Sequence, residues 1–137
     1  MSARSKARKR ALDVLFSADV RDITVVEALE AEAERAASEP ERSASWLYAR
    51  EILDGVIDHS VEIDETIETY ARGWSLERMP AVDRAIVRIA VWEILYNPEV
   101  PGAVAVDEAV EAAKTLSTEE SSSYVNGLLA TIASTAN

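Results

Sequence analysis

The sequence predicts an all-α fold, and three observations lead to this prediction. Only four glycines and four prolines interrupt the 137 residues. Alanine, glutamate and leucine, which favour helices, are plentiful, and apolar residues recur at helical spacing between the breaks. Alternating strand patterns are hard to find. At this length we expect residues 1–137 to form one domain, in which residues 1–7 are a flexible basic arm.

The most apolar stretch, residues 79–96, is predicted to be a core helix. Pro80 favours a first helical turn, and Asn97-Pro98 ends the pattern. Apolar side chains cover well over half of the helical circumference, which is too much for a surface helix, while the run is too short for a membrane span. We therefore expect other helices to surround this one, with Arg84 and Arg88 pointing to water from its remaining face.

Two carboxylates, Asp83 and Glu93, fall inside the apolar arc of this helix. An unpaired buried carboxylate costs free energy, so one interpretation gives each of them a salt-bridge partner. In a second interpretation, Asp83 is exposed in the first turn and complements the helix dipole. In a third, Asp83 lies on a surface that binds a partner protein.

The other segments predict helices at about residues 5–19, 23–37 and 104–116, with a last helix after Ser117. A further helix with a cap at Ser43 or Ser45 runs through Ile57, and another continues from Val61 and ends near Arg72-Gly73. Arg4 and Arg8 would face the apolar side if the first helix began early, so we expect the first few residues to be irregular until a ligand binds. The second helix is predicted to be acidic outside. Residues 58–60 are either a break or a bend, and Ser117 and Glu120 have the spacing of a capping box.

Charge is segregated along the chain, whose net charge is −11. Residues 1–10 contain five basic side chains and no acidic one, so the other 127 residues carry nine basic and 25 acidic side chains. A basic arm on an acidic body can bind a polyanion locally while the body repels it elsewhere. This pattern favours a short, defined nucleic-acid site over the wrapping of a long duplex.

Several classes of function are excluded by composition. The absence of cysteine excludes disulfides and thiolate-based zinc or redox chemistry. His59 is the only histidine, so we expect no metal, no cofactor and no catalytic site. No apolar stretch approaches a membrane span, and the N-terminus lacks an apolar signal core, so a cytoplasmic location is expected.

Two further positions have both a structural and a functional interpretation. Phe16, the only phenylalanine, lies at the rim of the apolar face of the first helix, where it either packs at the edge of the core or contacts a partner protein. Gly127 lies within the last helix, on a polar side with Asn126 and with Tyr124 at its border. It indicates either close packing of another helix or a platform for an unstacked base.

Four segments resemble one known family in their order and spacing. They are Ala7 to Ala11 (ARKRA), Met79 to Arg88 (MPAVDRAIVR), Val106 to Lys114 (VDEAVEAAK) and Ser121 to Leu129 (SSSYVNGLL). The chain is similar, from about residue 5 to residue 134, to the NusB family of bacterial transcription antitermination factors. Residues 72–80 resemble an actinobacterial member.

This resemblance implies two small helical bundles packed into one domain, without catalytic activity. It also implies binding to NusE, a small-subunit ribosomal protein, and to single-stranded boxA RNA of nascent ribosomal RNA transcripts, within an RNA polymerase antitermination complex. The family's NusE contacts map onto Phe16 and Asp83. Its RNA contacts map onto Lys6, Arg8, Lys9, Arg10, Glu120, Tyr124 and Asn126.

Two rival functions belong to other classes. A helical protein scaffold, or a homodimer that hides its basic arm and does not bind RNA directly, would fit the same composition. A related helical domain also precedes the catalytic domain of some ribosomal-RNA cytosine methyltransferases. This chain has neither a glycine-rich cofactor loop nor a cysteine nucleophile, which argues against an enzyme.

Overall fold

The computed structural model describes residues 2–39 and 43–136, which form seven α-helices and no strand. The all-α prediction is therefore confirmed. The helices are α1 (Ala3–Arg21), α2 (Val25–Ser38), α3 (Ser43–Asp58), α4 (Ser60–Tyr70), α5 (Ala81–Tyr96), α6 (Gly102–Leu116) and α7 (Glu119–Thr135). Within the described ranges, no helix combines the length and the apolar character that a membrane span needs.

The chain divides into two compact units, Met1–Asp58 and His59–Asn137. In the first unit, α1 packs against both α2 and α3. Its helices bury small and branched apolar side chains, such as Ala11 on α1 and Ile52 and Leu53 on α3. In the second unit, α5 contacts α4, α6 and α7, and Val87 and Val91 on α5 are fully buried. The prediction of a core helix that other helices surround is confirmed, although α5 begins at Ala81, two residues later than predicted.

The first helix begins earlier than expected. Ser2 caps α1, because its side chain accepts a hydrogen bond from the Ser5 backbone N–H at 3.1 Å. The expectation of irregular residues before Ser5 is therefore wrong in this structure. Arg4 does not face the core unpaired: its guanidinium lies 4.9 Å from the centroid of the Tyr48 ring on α3, a cation–π contact that makes the early start favourable.

Residues 58–60 form a break between two helices. His59 separates α3 from α4 with φ −113° and ψ 23°, outside the range of a continuing helix. Its imidazole stacks on the Tyr96 ring at the end of α5, with ring centroids 3.8 Å apart and planes 9° from parallel. This stacking gives His59 a packing role at the start of α4.

The cap of the last helix lies one residue later than the predicted one. Thr118, not Ser117, precedes α7, and its side chain accepts a hydrogen bond from the Ser121 backbone N–H at 3.0 Å. The predicted capping box is therefore wrong. Glu120 is exposed in the first turn of α7, where its charge complements the helix dipole.

Arg84 and Arg88 do not point to water, so that prediction is also wrong. Arg88 donates to both carboxylate oxygens of Asp64 on α4, at 2.9 and 3.1 Å. Arg84 donates to the backbone carbonyls of Leu76 and Met79, at 3.0 and 2.7 Å, in the segment that leads into α5. Both guanidinium groups therefore tie α5 to the chain that precedes it.

Candidate nucleic-acid interface

The exposed basic side chains at the start of α1 are Lys6 and Lys9. They lie three residues apart, on the same side of the helix. Lys9 forms an ion pair with Asp13 one turn later, at 2.7 Å, in which both side chains remain about half exposed. Such a pair is weak and can exchange for a phosphate. These two lysines are therefore the accessible cations of the predicted arm.

Arg8 is partly buried and takes part in an interaction within the protein. Two positions from Lys6, it points to a different side of α1 from the lysines. The structure therefore does not place all of the predicted phosphate contacts on one side of the helix.

Arg10 faces the interior of the first unit. Its guanidinium donates to Glu32 on α2 at 2.7 Å and to the Ser45 hydroxyl on α3 at 3.0 Å, and it lies 5.4 Å from the centroid of the Trp46 ring. The ion-paired side chains are only 14% and 12% exposed. Arg10 is therefore not an exposed cation, and Glu32 departs from the acidic outer side that was predicted for the second helix. Each is buried because the other neutralises it.

The predicted contacts on α7 do not share one face either. Glu120, Tyr124 and Gly127 are three or four residues apart and therefore lie on one side of the helix. Asn126, two residues after Tyr124, points about 160° away from it. Glu120 and Asn126 are exposed. A single nucleotide on Tyr124 could therefore contact Glu120 or the backbone at Gly127 more readily than Asn126.

Tyr124 is held by a residue that the sequence analysis did not select, Trp74 in the loop between α4 and α5. The Tyr124 hydroxyl donates to the Trp74 carbonyl at 3.1 Å, and the two rings meet edge to face with centroids 4.9 Å apart. Burial raises the pKa of Tyr124, and the nearby Glu68 carboxylate adds to the rise. Trp74 could have been selected from the sequence, because it is a tryptophan that lies outside any helical pattern, directly after Arg72-Gly73.

Gly127 is not a site of close helix packing. A Cβ added there would meet no atom within 4 Å, and the residue is exposed. The packing interpretation of this glycine is therefore wrong. The backbone of α7 is open at this point, which leaves room for a ligand beside Tyr124.

The two predicted NusE contacts differ in accessibility. Phe16 is 40% exposed on α1, which agrees with a protein contact. Asp83 is only 1% exposed, and within the described residues neither of its carboxylate oxygens has a hydrogen-bond partner. Two interpretations of Asp83, an exposed first-turn acid and a salt-bridged one, are therefore wrong. Glu93 is equally buried but has an interaction partner.

No cluster of three or more histidine, aspartate or glutamate side chains suited to a metal ion occurs in residues 2–39 and 43–136. The candidate surfaces therefore consist of cations, an aromatic pair and polar side chains. These are groups that bind phosphates and unstacked bases.

Comparison with known proteins agrees with this chemistry. The model of the NusB family matches residues 5–134. The transcription antitermination protein NusB of Leifsonia xyli subsp. xyli (strain CTCB07) is 71% identical over 133 residues, which cover 97% of this chain and 92% of that protein.

Two solved structures share the fold. NusB of T. maritima has a TM-score of 0.82 at 33% identity, over 96% of this chain and 90% of that one. A crystal structure of the antitermination factors NusB and NusE in complex with double-stranded RNA has a TM-score of 0.79 at 27% identity, over 98% of each chain. The predicted family is thereby confirmed, and the chain belongs to the NusB family.

Proposed function

We propose that this protein is a non-catalytic transcription antitermination factor that binds boxA RNA together with NusE. The observation that carries the proposal is the family match, which runs from the basic start of α1 to the end of α7. A structural relative is a NusB in complex with NusE and RNA, which supports both partners. Since its transcripts would be made in the cytoplasm, we place the protein there.

In this proposal, α1 supplies contacts to phosphates. Lys6 and Lys9 are exposed and can approach the RNA, whereas Arg8, on a different side of α1, remains a predicted contact. Arg10 would contribute chiefly by holding α1 against α2 and α3. Three to five phosphate contacts on single-stranded RNA correspond to a slope of about −2 to −3.5 in a plot of log affinity against log salt concentration.

The last helix supplies contacts to bases. The half-exposed ring of Tyr124 can stack on an unpaired base, while Glu120 and Asn126 can hydrogen-bond base edges from separate sides of α7. Because the body of the protein is acidic, we expect weak RNA binding by the chain alone and tighter binding in the complex with NusE.

In this proposal, NusE docks on Phe16 and also contacts Asp83. Phe16 is accessible, whereas Asp83 can contact NusE only if a cation of NusE reaches its buried carboxylate or the first turn of α5 moves. Such a cation would give this carboxylate the partner that it lacks within the described residues. Binding of NusE would then relieve a cost that the free chain carries.

The test is to mix purified protein, NusE and fluorescently labelled boxA RNA in pairs and all together. We expect the three-component mixture to bind RNA more tightly than any pair, with Arg8→Ala and Tyr124→Ala weakening it. Duplex RNA of the same sequence serves as a comparison, because the RNA in the related crystal structure is double-stranded. Failure of NusE to tighten RNA binding would contradict the proposal.

The NusE surface is tested with matched variants. Phe16→Ala should weaken NusE binding, whereas Leu47→Ala, at a more exposed apolar residue of the same unit, should not. Asp83→Asn suits the buried site better than a lysine, which could unfold the protein. Gel filtration of the chain alone shows whether it forms a homodimer. If that homodimer binds NusE but not boxA RNA in the mixing experiment, the rival function of a protein scaffold is favoured.

A further inference from the structure

We infer that the loop between α4 and α5 is part of the RNA-binding surface of the second unit. In this inference, which rests on the proposed function, Trp74 offers its ring to an unstacked base beside Tyr124. Arg72 offers its guanidinium to the adjoining phosphate. Neither residue is among the contacts that the family resemblance implies.

The loop is held at Trp74 and at Leu76. The Trp74 carbonyl accepts a hydrogen bond from the Tyr124 hydroxyl at 3.1 Å. Two residues later, the Leu76 backbone N–H donates to the Glu68 carboxylate at 3.0 Å, and the Leu76 carbonyl accepts from Arg84 at 3.0 Å. Because these contacts already order the backbone, a ligand would not have to bear the entropic cost of ordering it.

The geometry of the aromatic pair leaves ring surface for a base. Trp74 and Tyr124 meet at 85°, so one ring uses its edge and only the other uses a face in their contact. Both residues are half-exposed, whereas the other two tryptophans of the chain, Trp46 and Trp92, are buried. Of the three tryptophans, Trp74 is therefore the one whose ring surface a ligand could reach.

Charge around the pair is mixed, so stacking must provide most of the binding. Arg72 and Arg78 have exposed side chains on the loop, but Glu68, Glu77 and Glu120 are exposed carboxylates in the same unit. These two positive and three negative charges do not favour a long polyanion, whereas aromatic stacking is tolerant of sequence and needs an unpaired base. The loop therefore fits a short single strand better than a duplex.

The experiment measures boxA RNA binding by the complex with NusE, using fluorescence anisotropy. Trp74→Leu should weaken binding about five- to hundredfold, the range for loss of one base–aromatic stack. Trp74→Phe, which keeps an aromatic ring, should bind boxA RNA with an affinity much closer to that of the wild type. The hydrogen bond from Tyr124 is to the main chain, so both variants can retain it.

A matched pair of arginine variants tests the phosphate contact. Arg72→Ala should reduce the magnitude of the log–log salt slope by about 0.7, as expected for one phosphate contact on a single strand. Arg50→Ala removes an exposed arginine on α3, whose ion pair with Asp54 is loose at 3.7 Å, and should leave the slope unchanged. Circular dichroism and urea unfolding establish that each variant is folded.

Intrinsic fluorescence provides a second measurement on the unmodified protein. Because Trp46 and Trp92 are buried, RNA should quench chiefly Trp74, and Trp74→Phe should abolish the quenching. The inference about the loop alone would be overturned if the wild-type complex binds boxA RNA, the Trp74→Leu complex binds it equally tightly, and RNA does not quench the wild-type fluorescence. If the wild-type complex does not bind boxA RNA, the proposed function itself fails.

Discussion

The beginnings of α1 and α7 both carry predicted RNA contacts, but they use their side chains differently. At the start of α1, three arginines engage groups within the protein, and the exposed cations are the lysines Lys6 and Lys9. At the start of α7, Glu120 and Asn126 are exposed and Gly127 is open, while Tyr124 is held by Trp74, 50 residues away.

The difference shows that the charge of a side chain does not establish whether it is available to contact RNA. An arginine near a core is drawn to buried carboxylates and aromatic rings, because its planar guanidinium can satisfy several partners at once. A lysine with an exposed head group stays available to a phosphate. Counting basic residues therefore overestimates the RNA-binding capacity of α1, and the following variants test this distinction.

The largest effect is expected for Arg10→Ala. Among the described residues, it leaves the buried carboxylate of Glu32 with only the longer ion pair to Arg35, at 3.3 Å, and should lower the free energy of unfolding by about 3 kcal/mol. Urea unfolding measures this loss. Lys9→Ala, which breaks only an exposed pair, should cost about 0.5 kcal/mol or less. Equal free energies of unfolding for the two variants would show that Arg10 stabilises the fold no more than the exposed Lys9 does.

The next effect concerns RNA rather than stability. The double variant Lys6→Ala/Lys9→Ala should reduce the magnitude of the salt slope for boxA binding by roughly 1.4, about 0.7 for each lost phosphate contact. Its unfolding should remain close to that of wild type, because both side chains are exposed. Salt-titrated anisotropy with NusE present measures the slope, and an unaltered slope would remove these lysines from the interface.

Tyr124→Phe is expected to have a smaller effect on stability. Loss of the hydrogen bond to Trp74 should cost about 1 kcal/mol at neutral pH. Because the folded protein raises the pKa of Tyr124, the neutral phenol stabilises the fold below its ordinary pKa of about 10. This contribution is lost as the pH rises through the raised pKa.

Urea unfolding at neutral pH and again above pH 10 measures both effects. The stability difference between wild type and Tyr124→Phe should shrink at the higher pH, where the unfolded wild type ionises more readily than the folded one. A difference that grows with pH would contradict the sign of this pKa shift.

The smallest effect is expected for Gly127→Ala. Alanine should stabilise α7 by about 0.5–1 kcal/mol, because the added methyl group meets no neighbour and the unfolded chain loses freedom. Thermal unfolding measures this gain. If RNA approaches the backbone here, the same variant should bind boxA RNA more weakly even though it is more stable, and a loss of stability would contradict the open geometry.

Much of the fold and part of the site could be predicted from the sequence. The positions of the helices and the central place of residues 79–96 followed from apolar periodicity and from breaks at proline. The position of Phe16 at the rim of α1 was predicted, with edge packing and a partner contact both left open, and the structure leaves its side chain 40% exposed. The start of α1 and the cap of α7 were misplaced, because each depends on one local hydrogen bond that several nearby residues could make.

The sequence alone determined the helical class, the helix order and the segregation of charge, because these depend on composition and on spacing along one helix axis, and the resemblance of four segments indicated the family. Only the tertiary structure decided which charged and aromatic groups remain available. Arg10 finds partners 22 and 35 residues away, and Tyr124 finds Trp74 50 residues away. A helical wheel gives the direction of a side chain but not what lies there, and contact with that neighbour decides whether a group supports the fold or can bind RNA.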